Sequence, residues 1–572
     1  MIKRERVHFI GICGTAMAPI AKMMKDMGFE VTGSDKGFFP PVSLYLKKNK
    51  LNIELGYKKE HITSKLGSRP DGPRSDGPRS IDFVVIGNAV AENNEEVQEV
   101  LKRKIKYYSY PEILRKYLVK EESIVIAGEY GKTTITSAVS FLFYKAGLKP
   151  SFMFGGVSLN FKSAVENYTG SSGSGSSGSG SAGFGPIGKI SVVEGDEYNS
   201  AFYDKRSKFL HYNGKYVLIT SLEWDHVDLF PTFDDYIASF KKLVEGIPED
   251  GILFLNKDDK NIHHVVDSAK CKILYYSYMD NSADLYIKKV SYKDGYTEFV
   301  TSDPDLSDLK TYKTTLIGKH NLQNLVGAIL VARSFGIPYE SLKKSIFEFK
   351  GVKRRLEIRY RDDDVIIIDD FAHSQVKVKT SIDAVRENFK EASLKRAGSK
   401  SYRIIAVFEP DTMSARSRKT LNWYKTVFNN ADKVIITDMY RSNSLEEGFS
   451  QYDLVNLIKE QGIDASYVSN QDVAKFLYDN SQKNDLILFM SSRNFQGGID
   501  KTVSLFKSKS KSVNTNGSGS KEKLYQCSVC KLHYKDENWA LQCYSWCSTN
   551  NSCNVAITKH SEERLNRKSG QV

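Results

Sequence analysis

Short apolar runs punctuate this chain at intervals, and most are uninterrupted rather than alternating. VHFIGI (Val7–Ile12), FVVIGNA (Phe83–Ala89), SIVIAG (Ser123–Gly128), ISVVEG (Ile190–Gly195) and YVLITS (Tyr216–Ser221) lie in the first half. VIIIDD (Val365–Asp370), RIIAVF (Arg403–Phe408), KVIITD (Lys433–Asp438) and LILFM (Leu486–Met490) follow in the second. A run of this kind predicts a strand buried on both faces, and helical periodicity between many of the runs predicts crossover helices. The pattern is that of α/β domains built on largely parallel sheets. In such sheets ligands bind at the carboxyl ends of strands, so the residues just after each run are the candidates for chemistry.

Two segments break the pattern and read as loop insertions: the Pro/Gly repeat SRPDGPRSDGPRS (Ser68–Ser80) and the Gly/Ser tract of residues 169–185. A third soft stretch, 512–523, reads as a linker. The predicted domains are 1–118, 119–350 and 351–511, followed by a cysteine-rich module over 524–572. A chain of 572 residues, 40% hydrophobic and 26% charged, has the composition of a globular protein of several domains. It holds no apolar run long enough to span a bilayer, and its N-terminus runs directly into a strand and glycine turn, so the expected compartment is the cytoplasm. The net charge of +13 fits either nucleic acid or small polyanionic substrates.

VIAGEYGKTTITS (Val125–Ser137) has the strand–loop–helix form of a phosphate-binding loop. Gly128, Gly131, Lys132, Thr133 and Thr134 supply the turn, a cation and a hydroxyl for Mg²⁺, but Glu129 sets a carboxylate where phosphate oxygens are expected. At the N-terminus Gly11 and Gly14 (in GICGTAM) permit close approach to a pyrophosphate, and Asp35 ends the next strand where a ribose hydroxyl could be held. Glu194, Asp196 and Glu197 offer oxygen ligands to a hard cation, and Glu223, Asp225, His226 and Asp228 crowd one later turn. GKHNLQN (Gly318–Asn324), GVKRRLEIR (Gly351–Arg359) and IIIDDFAHS (Ile366–Ser374) suit an adenine, a phosphate and a ribose.

The order of these motifs resembles the Mur ligase family, over roughly residues 1–508. GICGTAM, FEVTGSDKGFFPPVS and EYNSAFYDKRSKFLHY look like the branch that joins L-alanyl-γ-D-glutamyl-meso-diaminopimelate to UDP-N-acetylmuramate, more than the L-alanine-adding branch. The resemblance implies three domains: a Rossmann-like one for the UDP-sugar, a central P-loop ATPase, and a Rossmann-like one that docks the amine. It implies an ATP- and Mg²⁺-dependent carboxylate–amine ligase working through an acyl phosphate, with small-molecule partners and no membrane or nucleic acid. By the same resemblance Lys132, Thr133, Glu194, His226 and Arg355 are catalytic, with Mg²⁺ on Thr133, Glu194 and His226. Gly128, Gly131, Thr134, Asn321, Asn324, Arg354, Asp370 and His373 complete the ATP site. Gly11, Gly14, Thr15, Asp35 and the Asn88–Ala89 turn face the UDP-sugar.

Four stretches depart from the family pattern. GEYGKTT stands for GTHGKTT, and Ser374 and Gln375 follow His373 where the family continues HP. Asp411 stands where the branch generally has Arg, and SSRNFQGG (Ser491–Gly498) replaces SNGGFGG. A UDP-sugar-binding protein without turnover is the rival reading. In the tail, Cys527, Cys530, Cys543 and Cys547 have spacing suited to tetrahedral Zn²⁺, with Cys553 and His560 as substitutes, and such a tethered module is open to three uses: recruiting a protein partner, recruiting nucleic acid, or serving as an appended structural knob.

Overall fold

Residues 5–38, 42–63, 81–168, 188–224, 229–293, 295–303, 306–395, 402–439, 448–513, 524–527, 529–536, 539–540, 542–543, 547 and 555–561 are described in the computed structural model. Both predicted insertions lie largely or wholly outside these residues, as do His226, Cys553 and most of the predicted linker. Two compact units divide the chain, Met1–Val503 and Ser504–Val572.

The first unit carries three α/β domains, each on its own sheet. The N-terminal sheet has five parallel strands in the order Asn52–Leu55, Glu30–Asp35, Arg6–Ile10, Phe83–Ile86, Tyr107–Ser109. Every residue of Arg6–Ile10 and Phe83–Ile86 is buried, as a central strand covered on both faces requires. Beneath this sheet Glu96 is fully buried. His61 Nδ1 stands 2.6 Å from its carboxylate, His8 Nε2 3.6 Å, and the Ser34 hydroxyl donates to it.

The central sheet has ten strands. Lys272–Ser277, Ile252–Asn256, Tyr216–Ile219, Glu122–Ala127, Ile190–Glu194 and Ser151–Met153 form its parallel core. Leu285–Lys293, Tyr296–Asp303 and Leu306–Thr314 extend one edge as an antiparallel meander, which the apolar runs do not announce. The helices Lys132–Lys145 and Lys319–Ser334 pack together over the sheet, and the buried residues of both join one apolar core.

The third sheet orders Glu357–Arg361, Val365–Asp370, Asp485–Met490, Arg403–Phe408, Lys433–Ile436, Asp464–Tyr467, with only the first strand antiparallel. The chain passing from the central to the third domain is pinned rather than loose. Leu159 N–H donates to Gly351 O at 3.0 Å and Lys353 N–H to Val157 O at 2.8 Å. Arg354 and Leu356 then adopt left-handed backbone, φ 58° and 51°.

In the second unit, Tyr525–Gln526 and His533–Tyr534 pair as a small hairpin. Cys527, Cys543 and Cys547 are buried with Tyr534 and Ala540, and Trp539 packs against them, so this tryptophan serves the mini-core. No helix among the described residues is long and apolar enough to cross a membrane.

Candidate active site

The loop after Glu122–Ala127 turns on two glycines that no other residue could replace without distortion. Gly128 has φ +110°, and a Cβ there would meet Thr220 Oγ1 at 2.3 Å. Gly131 has φ +85°, and its Cβ would meet Asn324 Oδ1 at 2.4 Å. The helix Lys132–Lys145 starts immediately after, so its first N–H groups and its dipole face the loop.

Lys132 folds back into this turn. Its Nζ donates to Gly128 O and Glu129 O and pairs with the buried Glu197 at 2.9 Å. Burial works against the ammonium, but the Glu197 and Glu129 carboxylates outweigh it and hold the Lys132 pKa above the ordinary lysine value. Thr133 Oγ1 donates to Glu194 Oε1 at 2.9 Å, and Gly155 N–H donates to Oε2 of the same carboxylate. Burial raises the Glu194 pKa despite these donors and Lys132. The expected triad of Glu194, Asp196 and Glu197 is therefore corrected. Glu194 bonds to Thr133, Asp196 to Lys208 and Glu197 to Lys132, and among the described residues the three carboxylates do not converge as ligands of one cation.

A cavity of about 650 Å³ opens over the loop. Residues 129–134 and Glu194 form one wall, and Asn321 and Asn324 from the helix Lys319–Ser334 another. Arg355, Asp370, Ala372 and Lys377 of the third domain close the far side. The Lys377 ammonium also lies 5.3 Å from the centre of the Tyr130 ring, a cation–π contact between the phosphate loop and the third domain. Asn321, on the cavity wall, donates its side-chain amide N–H to Ile317 O at 2.8 Å.

The two neighbouring arginines part company. Arg354 is turned to the sheet end: its guanidinium donates to the carbonyls of Ser491, Ser492 and Arg493 and to Asp369. It does not line the cavity, so its expected phosphate contact is corrected, while the exposed Arg355 does line it. The flips at Arg354 and Leu356 produce this divergence. Asp370 is buried, with Leu356 N–H at 2.7 Å on one oxygen and Ala372 N–H and the Ser381 hydroxyl at 2.8 and 3.0 Å on the other. Burial raises its pKa against Arg355 and these donors. His373 is likewise turned aside from the cavity wall, its Nδ1 2.8 Å from Phe371 O.

His320 is the residue the sequence reading passed over. It lines the cavity, and burial together with Arg355 pushes its imidazole down to about 4, so it is neutral at ordinary pH. Its signal was present in GKHNLQN, between residues that were singled out.

Gly11, Gly14, Thr15, Asp35, Asn88 and Ala89 gather at the carboxyl end of the N-terminal sheet. Gly11 has φ +82°, and Asp35 accepts the Cys13 N–H at 2.8 Å, tying the first glycine turn to the second strand. Burial and Asp35 push the Cys13 thiol up to about 12. In the separate C-terminal unit the Sγ atoms of Cys527, Cys530, Cys543 and Cys547 lie within 4.8 Å of one another, an arrangement able to hold a metal ion. His560 is not among them; its ring stacks on Trp539, centroids 3.9 Å apart.

Known proteins share this arrangement. Residues 6–120 match the family model described as Mur ligase family, catalytic domain; residues 126–332 match the Mur ligase middle domain; residues 354–493 match the Mur ligase, glutamate ligase domain. The UDP-N-acetylmuramate–L-alanine ligase of Caldicellulosiruptor saccharolyticus is 27% identical over 510 residues, covering 88% of this chain and 99% of its own. The UDP-N-acetylmuramate–L-alanyl-gamma-D-glutamyl-meso-2,6-diaminoheptandioate ligase of Escherichia coli is 28% identical over 496 residues, covering 86% and 96%. The crystal structure of UDP-N-acetylmuramate-alanine ligase from Thermotoga maritima shares the fold, with a TM-score of 0.65 at 19% identity over 88% of this chain and 99% of that one. Its three domains, in this order and over this span, make the chain a member of the Mur ligase family, the ATP-dependent ligases that form amide bonds.

Proposed function

We propose that the chain joins L-alanyl-γ-D-glutamyl-meso-diaminopimelate to the lactoyl carboxylate of UDP-N-acetylmuramate, with ATP converting that carboxylate to an acyl phosphate. The observation that carries the reading is the cavity in which the phosphate loop faces Arg355 across the two domains. Phosphoryl transfer asks mainly for positioning and neutralisation of charge. Lys132 and the first N–H groups of its helix hold the phosphates, and Arg355 meets the transferring phosphoryl group from the third domain. Bound Mg²⁺ would add charge neutralisation between the phosphates, and the Thr133 hydroxyl and Glu194 carboxylate, already 2.9 Å apart, fit its oxygen preference. His226 is proposed as its further ligand on the resemblance alone. Asn321 and Asn324 face the nucleoside, and neutral His320 accepts or donates one hydrogen bond without adding charge. Asp370 orders the third-domain turn beside the nucleotide. The UDP-sugar lies against Gly11, Gly14, Thr15, Asp35 and Asn88. A reaction fed by ATP and a nucleotide sugar fits the cytoplasm.

The relatives divide between L-alanine and tripeptide acceptors at similar identity, so L-alanine is the second reading. The choice of the tripeptide rests on the stretches FEVTGSDKGFFPPVS and EYNSAFYDKRSKFLHY. The test is phosphate release by the purified full chain with ATP, Mg²⁺ and UDP-N-acetylmuramate, with each acceptor offered separately and products weighed by mass spectrometry. Tripeptide-dependent release with the matching mass is expected. Release with L-alanine alone would replace the acceptor, and intact UDP-sugar binding without release would mean a binding protein.

We also propose that Cys527, Cys530, Cys543 and Cys547 hold one Zn²⁺ as a tetrathiolate. The support is their closeness and the backbone N–H groups of Val529 and Cys530 directed at the Cys527 sulfur, an outer shell typical of such sites. Metal analysis of the full chain should find one zinc, released by Cys543→Ser. Four thiols titrating freely in metal-free protein that is otherwise folded would refute it.

A further inference from the structure

The cation of the phosphate loop is already engaged. Lys132 Nζ donates to Gly128 O and Glu129 O and pairs with Glu197 at 2.9 Å, and the Glu129 carboxylate also acts on it. Together Lys132, Glu129 and Glu197 carry one net negative charge at the place where phosphates are to be held. Neutralising a transferring phosphoryl group therefore asks for cations from elsewhere on the cavity wall. Two third-domain residues line that wall with positive charge, Arg355 and Lys377. Both lie within electrostatic reach of His373, so they are neighbours.

Lys377 lies in the first turn of the helix Gln375–Lys395, and three contacts fix that helix against both domains. The Ser381 hydroxyl donates to Asp370 at 3.0 Å, at the end of its own sheet. Ala384 packs on the Gly318 turn so closely that a Cβ at Gly318 would meet its Cβ at 2.8 Å. On the central meander the Thr297 hydroxyl donates to the Asn388 side chain at 3.2 Å. The helix thus carries the Lys377 ammonium to the phosphate loop, 5.3 Å from the centre of the Tyr130 ring. Among the described residues no carboxylate pairs with Lys377, and an aromatic face holds an ammonium in place without neutralising it. Two departures from the family pattern, Glu129–Tyr130 in the loop and Ser374–Gln375 at the start of the helix, flank this contact.

We propose that Lys377 is a further ligand of the β- and γ-phosphates of the nucleotide, delivered from the third domain, and that Tyr130 positions it. This rests on the nucleotide site proposed above and adds a residue to it. The Lys377 charge brings the sum over Lys132, Glu129, Glu197 and Lys377 to zero, so it offsets what Glu129 puts into the loop. The flexible four-carbon stem lets the ammonium pass from the ring face to a phosphate oxygen while the helix stays in place. Tyr130 acts only through Lys377, by keeping the ammonium beside the loop. AMP, which has neither a β- nor a γ-phosphate, gains nothing from either residue.

The experiment is equilibrium binding of ribose-labelled fluorescent analogues of ATP and AMP, with Mg²⁺, to the full chain. The variants are Lys377→Met, Lys377→Arg, Tyr130→Leu, and Lys377→Met combined with Tyr130→Leu. Lys377→Met keeps the stem and removes the charge; it should weaken the ATP analogue at least about tenfold and leave the AMP analogue within about twofold. Lys377→Arg keeps a cation and should hold ATP within about threefold of the unsubstituted chain. Tyr130→Leu alone should weaken ATP about three- to tenfold, and should cost less than about twofold more when Lys377→Met is already present. Equal losses for ATP and AMP would mean a displaced helix and overturn the assignment. Full additivity of the two substitutions would overturn the part given to Tyr130. ATP binding that ignores Lys377→Met would sink this ligand and leave the nucleotide site standing; no ATP binding by the unsubstituted chain would sink both.

Discussion

Glu129 sits in the wall of the nucleotide cavity, and replacing it with threonine gives a direct test of the charge balance there. Lys132 is held by two carboxylates, Glu197 and Glu129, so the three groups carry one net negative charge before any phosphate arrives. Glu129→Thr brings that sum to zero. One carboxylate charge at about 5 Å from a phosphate charge is worth roughly 0.8 kcal/mol in a water-like dielectric and roughly 3 kcal/mol at an effective dielectric near 20. The side chain is partly buried, so about 1–3 kcal/mol brackets the effect, equivalent to a 5- to 150-fold tighter hold on ATP. The assay is phosphate release against ATP concentration at saturating Mg²⁺ and acceptor, at low salt. KM for ATP should fall within that range, and the gain should shrink as salt screens the partly exposed charge. A KM within about twofold of the parent at low salt would refute the reasoning, because the carboxylate would then exert no force on the triphosphate.

Gly131→Ala must hold an L-residue at φ +85° against Asn324, so a stability loss of about 1–3 kcal/mol is expected by thermal melting, with loss of fluorescent-nucleotide binding. Arg354→Ala should lower stability by about 2–3 kcal/mol in denaturant titration, since charged hydrogen bonds to three carbonyls are lost, whereas Arg355→Ala should melt like the parent and lose turnover. In the N-terminal domain burial opposes the ionisation of Glu96, yet His8, Ser34 and His61 hold its pKa below the ordinary glutamate value. Its stabilisation is therefore complete above the unfolded value of about 4.3 and is lost as pH falls through the lower folded one. Circular dichroism of Glu96→Gln should show a shallower acid dependence below about pH 4.3 than the parent; identical slopes would remove Glu96 as the cause.

The central parallel strands such as Arg6–Ile10, Phe83–Ile86 and Val365–Asp370 were legible because they are buried and appear as continuous apolar runs, whereas parallel strands with exposed positions, such as Asn52–Leu55, Lys272–Ser277 and Asp464–Tyr467, were not. Nor was the antiparallel meander. YIKKVSYK and YTEFVTSD mix lysine, threonine and tyrosine, since an edge meander with a solvated face needs only every second side chain apolar. The motif order located the cavity, because its walls follow strand ends. What the order could not carry was pairing across distance: nothing local tells Glu197 to seek Lys132 rather than stand beside Glu194. Nor does RRL reveal which arginine lines the cavity, a choice made by two left-handed backbone positions. Asp411 and Arg493 stood out as separate departures from the family pattern, and only the folded chain sets them 3.5 Å apart.

The segment that joins the central and third domains is also the segment that supplies Arg355. Its hydrogen bonds to residues 157 and 159 fix one end to the central domain, and the bond from Leu356 N–H to Asp370 fixes the other to the third sheet. A swing of the third domain about this segment would pivot within a few residues of the Arg355 guanidinium on the cavity wall. A displacement of about 1 Å at a reacting centre costs on the order of a hundredfold in rate. The connecting strap thus works as a caliper: the angle between the domains is read out directly as reactivity, with no intervening relay.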